Sequence, residues 1–130
     1  MSYLSHLVTS IAISDIDVAE KGLRALIDPE GEYYPPVLRS GAVAGGDDQP
    51  EHLEWAHYLC TYSRYVYLNV WKYRCSVDRV RDNIIPILKN AKSLIERLAQ
   101  ECDLSKKDKM DLTKYGENIG LRIKNLLNYT

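Results

Sequence analysis

Residues 51–75, EHLEWAHYLCTYSRYVYLNVWKYRC, decide how this chain folds. The run contains no proline and no glycine, the two strongest breakers of a helix interior. Read as one helix, it extends about 37 Å at 1.5 Å per residue. Its apolar residues do not keep to one stripe. Leu53, His57, Cys60, Tyr67 and Trp71 fall on one side, and Trp55, Leu59, Tyr62, Val66 and Tyr73 on others. A helix apolar around most of its circumference is either central to its own fold or shared with another molecule. Asp47 or Asp48 supplies an acidic cap before it, and Pro50 falls near the first helical position, where a missing N–H costs nothing.

Upstream, residues 28–50 concentrate Pro29, Pro35, Pro36 and Pro50 with Gly31, Gly41, Gly45 and Gly46, a density that forbids regular helix. The expectation is one long irregular loop or arm. Tyr33-Tyr34-Pro35-Pro36 packs on the bundle or on a neighbouring chain, and Gly41 to Asp48 reads as flexible. Before it, residues 3–27 read as helix in two pieces. Leu4, Leu7, Val8 and Ile11 recur at helical spacing, and so do Ile16, Ala19, Leu23, Leu26 and Ile27. Ser14 with Asp17 resembles a capping box that restarts the helix. A short strand over Val8 to Ile13 is the weaker alternative. Asp28-Pro29 ends the segment, because a residue before proline avoids the α region.

Downstream, Val80, Ile84, Ile87, Ala91, Leu94, Ile95 and Leu98 form the stripe of a third helix over residues 78–100, and Pro86 predicts a kink or a break near Ile85. A fourth helix begins at Ser105, with Asp108 three residues on, and ends near Leu127. Leu112, Gly116, Ile119, Ile123 and Leu127 make its buried face. Gly116 and Gly120 inside that helix point to close backbone approach. Short connections at Ser76 and Asp103 make the helices antiparallel neighbours. The fold class is all-α: one domain over residues 1–130, a bundle of four or five helices with one long irregular loop.

A chain of 130 residues that is 45% hydrophobic and 27% charged has the composition of a globular domain and can bury a core without staples. It has no apolar run long enough to span a bilayer. The start, Met1 to His6, lacks a basic region, so a cytoplasmic protein is expected. Cys60, Cys75 and Cys102 form no C-x-x-C pair, which fits reduced thiols in a helical core. Ten tyrosines accompany no phenylalanine, and rings with a polar tip suit half-wet surfaces and contacts between chains.

The net charge of −1 hides a division. Residues 1–58 carry three Lys or Arg against ten Asp or Glu, and residues 59–130 carry the other fourteen basic groups against eight acidic ones. Such a split is a signal for interaction unless the two halves cancel on folding.

Chemistry is thinly represented. Glu54 and His57 match the E-x-x-H element of di-iron bundles, but neither His6 nor His52 completes a second copy, so no metal is expected. Cys60 lies one turn from His57 without an orienting group or nucleophile elbow. No glycine loop carries a phosphate-binding lysine. No motif ties the chain to a known family, and no cofactor is expected.

The leading expectation is a non-catalytic accessory subunit, adaptor or inhibitor that binds a protein partner or its own copy through Tyr33, Tyr34, Trp55, Tyr62, Tyr65 and Tyr73. The alternative is a nucleic-acid-binding accessory subunit of a ribonucleoprotein or DNA-processing complex, using Arg64, Lys72, Arg74, Arg79 and Arg81, where cations interleave with aromatics.

Overall fold

The computed structural model describes residues 14–39, 46–47 and 50–130. The expected helical piece at Leu4 to Ile11, its strand alternative, the acidic cap at Asp48 and most of the Gly41–Asp48 stretch lie outside the described residues. Helix α1 spans Ile16–Ile27 and α2 spans Pro50–Tyr73. Helix α3, Val77–Arg79, continues through a wide π turn at Val80–Ile84 into α4, Ile85–Glu101. Helix α5 spans Lys106–Tyr129. The all-α bundle read from periodicity is the fold.

Each boundary has a local cause. Asp15, not Ser14, caps α1: its Oδ1 accepts from the N–H groups of Asp17 (2.9 Å) and Val18 (3.4 Å). Asp28 leaves the helix in extended conformation, as a residue before proline must. Ser76 caps α3 and Ser105 caps α5 by accepting from the N–H groups of Arg79 and Asp108, each at 3.1 Å. Pro86 does not break its helix. The Ile85 N–H reaches back five residues to the Val80 carbonyl, so one extra residue is absorbed just before the proline. Pro86 follows the wide turn directly, as the second residue of α4, and offers no N–H to the carbonyls behind it.

Helix α1 packs antiparallel on α2, and α5 packs antiparallel on α4 and parallel to α2. The core fills the space between these four. Ile16, Ala19, Leu23, Leu26 and Ile27 enter it from α1, and Trp55, Leu59, Tyr62, Val66 and Val70 from α2. The whole expected stripe of the third helix is buried. On α5 the stripe needs one correction. Leu126 is buried and Leu127 is exposed, because 126 keeps step with Ile119 and Ile123 while 127 rotates past the edge of the contact.

The loop after α1 covers the core rather than leaving it. Tyr34 and Leu38 are buried, the latter in a short 3₁₀ turn at Pro36–Leu38. Arg97 fastens this turn by donating to the Leu38 carbonyl at 3.1 Å. Further on, Gly46–Asp47 (β1) and Cys102–Asp103 (β2) form a two-residue parallel bridge, which ties the loop to the end of α4. Of the Gly41–Asp48 stretch, Gly46 and Asp47 are the described residues, and both lie in this bridge.

The two glycines of α5 also depart from expectation. A Cβ on Gly116 would meet Ile95 Cγ2 at an ordinary 4.0 Å, and one on Gly120 would meet only the flexible end of Lys92. The close approach is at Gly22 on α1 instead, where a Cβ would collide with the Tyr62 ring.

Candidate interaction surface

The six residues expected to meet a partner separate into three environments. Tyr34, Trp55 and Tyr62 are enclosed within one copy of the chain and are withdrawn as contact residues. Trp55 is 0% exposed, its indole N–H donates to the Leu26 carbonyl at 2.8 Å, and the Tyr34 ring meets it edge-on at 6.5 Å. The reason is helical phase. Trp55, Leu59, Tyr62, Val66 and Val70 step by four, three, four and four, so they form one inward stripe. Burial pushes the Tyr62 phenol up to about 12, with neighbouring Tyr65, Tyr58 and Tyr33 adding to the shift. Tyr33 and Tyr65 are half-buried at the core margin. Only Tyr73 is exposed, at 51%, and its hydroxyl donates to the Ser14 carbonyl at 2.8 Å.

The uncovered apolar surface of α2 lies in its C-terminal half. Leu68 and Trp71 are each 43% exposed. Trp71 is held by two rings, Tyr67 at 6.0 Å and Tyr129 of α5 at 5.0 Å, both edge-on. Those rings are anchored in turn. The Tyr67 hydroxyl accepts from Asn125 Nδ2 at 3.1 Å, and the Tyr129 hydroxyl donates to the Cys75 carbonyl. A large aromatic is therefore fixed in orientation and left half open. Sequence reasoning placed Trp71 on a side of α2 but did not choose it. The available signal was that Leu68 and Trp71 fall out of step with the Trp55–Val70 stripe.

Arg64, Leu68, Trp71 and Lys72 recur at intervals of four, three and one, and so share the outer face of α2. The five expected cations do not act alike. Arg79 pairs with Asp17 at 2.6 Å and Glu20 at 3.6 Å, and Arg81 pairs with Asp78 at 2.8 Å and Asp82 at 2.9 Å. Arg64, Lys72 and Arg74 are exposed and make no ion pair among the described residues. The acidic and basic halves of the sequence thus cancel in part at Arg79, where α1 meets α3. Arg74 carries a second peculiarity. Its φ of 50° makes it the one non-glycine residue in the left-handed region among the described residues, at the point where α2 ends.

The remaining chemistry is sparse. Cys60 does not meet His57. Arg122 donates to Ser63 Oγ at 2.7 Å and to the Cys60 carbonyl at 2.9 Å, while His57 is exposed and lies against Tyr58 and Tyr115. The thiol–imidazole contact that forms is His52 Nδ1 to Cys102 Sγ at 3.4 Å, across the loop bridge. Both side chains are almost fully enclosed, and burial moves His52 below its ordinary pKa, with Glu51 opposing. A groove of about 670 Å³ lies beside them, lined by Tyr33, Tyr34, Pro36, His52 and Trp55 among others. No group of three His, Cys, Asp or Glu side chains among the described residues could hold a metal ion. No described helix is long and apolar enough to cross a membrane. Comparisons with protein-family models, with curated proteins and with solved structures found nothing that matches this chain.

Proposed function

We propose that this chain is a non-catalytic helical interaction protein, an accessory subunit, adaptor or inhibitor. It engages a protein partner or a second copy through the outer face of the C-terminal half of α2. The observation that carries this reading is the exposure of Leu68 and Trp71 while Trp71 is fixed between two anchored tyrosine rings. A rigid aromatic loses little conformational freedom when covered, so it converts buried area into affinity efficiently. Tyr73, exposed at the end of the same helix, lies on its α1 side, in step with Tyr62 and Val66, and is not part of this face.

The nucleic-acid reading draws less support. Two of its five cations, Arg79 and Arg81, are already neutralised by carboxylates. Further cations at Lys106, Lys107 and Lys109 sit at the start of α5, the other end of a helix about 36 Å long. A photo-crosslinking residue at position 68, set against one at exposed Glu117, tests the proposal in cells that make the protein. The expected result is a discrete crosslinked species from position 68 alone. No crosslink there, together with a monomer at every concentration in sedimentation velocity, overturns it.

A further inference from the structure

We infer that the partner of this face is an acidic amphipathic protein segment, its aliphatic side chains set on Leu68 and Trp71 and its carboxylates reaching Arg64 and Lys72. The inference rests on the interaction reading above and specifies the chemistry of its partner. From Leu59 to Ser76, and again from Asn118 to Thr130, the chain contains no Asp or Glu. The paired C-terminal halves of α2 and α5 therefore supply cations and aromatic rings without an internal counter-charge. Arg64 and Lys72 flank Leu68 one turn before and one turn after it, so an apolar contact at Leu68 places any adjoining carboxylates within reach of both.

Arg74, just past the end of α2 and in the left-handed region, is a third exposed cation two residues from Lys72.

Two of the five expected cations, Arg79 and Arg81, are already paired with carboxylates, which leaves Arg64 and Lys72 beside Leu68: enough for a segment with a few carboxylates, and few for a polyanion with a charge at every residue.

The test is a selection from a displayed library of random peptides on the intact protein, with counter-selection on Leu68→Ser. The selected peptides are then compared on wild type and on Arg64→Glu/Lys72→Glu, with circular dichroism confirming the fold of each variant. If the double reversal fails to fold, Arg64→Gln/Lys72→Gln replaces it. The expected result is enrichment of sequences combining Leu or Ile with Asp or Glu, bound about tenfold or more weakly by the charge variant and progressively more weakly as salt rises. Leu68-dependent peptides that are neutral or basic overturn the acidic partner and leave the interaction reading standing. A library that yields nothing dependent on Leu68 overturns both. A single-stranded oligonucleotide that binds more tightly than the best peptide, through the same Arg64 and Lys72, assigns the face to nucleic acid instead.

Discussion

The two tryptophans of this chain stand in one helix and have opposite surroundings. Trp55, in the first half of α2, has its ring enclosed and its N–H bonded to the backbone of α1. Trp71, in the second half, is held by ring edges and left 43% exposed. The cause is the neighbours. Around Trp55 the loop after α1 folds over the helix and contributes Tyr34 and Leu38, whereas at Trp71 the described partners are α5 on one side and solvent on the other. The same residue type in the same helix is thus core in one place and candidate contact in the other. Composition alone does not assign the role.

Removing each ring gives the largest contrast. Trp55→Ala should cost about 3–5 kcal/mol, since it opens a cavity and leaves the Leu26 carbonyl without its donor. Trp71→Ala should cost about 1 kcal/mol, because half the ring never left water. Urea midpoints followed by circular dichroism measure both, and equal losses would break the comparison.

Glycine substitutions sharpen it at the next level. Gly22→Ala drives a methyl group into Tyr62 in the enclosed half, and an overpacked contact of this kind costs about 1–3 kcal/mol. Gly116→Ala adds a methyl group at ordinary contact distance from Ile95 and should stabilise by about 1 kcal/mol through helix propensity. Thermal melting of the two variants should move in opposite directions.

A pH titration isolates the enclosed half in a different way. The Tyr62 phenol ionises at about 12 in the folded chain and at its ordinary 10 when unfolded. Between those values the folded state holds more protons, so stability is complete below pH 10 and declines as pH rises towards 12. Tyr62→Phe should flatten that decline, and an unchanged profile would show that other tyrosines cause it.

The smallest effect belongs to the open half. Arg74→Gly relieves a left-handed φ and should stabilise by about 0.5 kcal/mol, after the entropy glycine adds to the unfolded chain is subtracted. Binding of an acidic segment should weaken in the same variant, measured by calorimetry. A gain in stability without a loss in binding would remove Arg74 from the contact.

Much of the fold could be read from local signals. Asp28-Pro29 ends α1, Ser105 caps α5 and the Pro/Gly-rich stretch excludes helix, because each acts within a few residues of itself. Pro86 announced an irregularity but not its form, since kink, break and wide turn all accommodate a missing N–H. The phase of α2 is hard to read from its residues. Aromatic side chains on every side mask the regular stripe from Trp55 to Val70, so enclosed and exposed rings look alike in the sequence. The His52–Cys102 contact was beyond sequence reasoning, because it depends on a bridge between segments fifty residues apart in the chain.

The wide turn at Val80–Ile84 links the length of this chain to its composition. In an ordinary helix the ring of Pro86 would press on the carbonyl four residues earlier, a conflict worth about 3 kcal/mol, and the additional residue spreads the backbone so that this does not occur. The proline and the additional residue therefore form a compensating pair. Shortening the segment by one position reinstates the clash while Pro86 is present, yet should be far better tolerated once alanine replaces it. Loss of the additional residue is therefore expected only where the proline has been lost first.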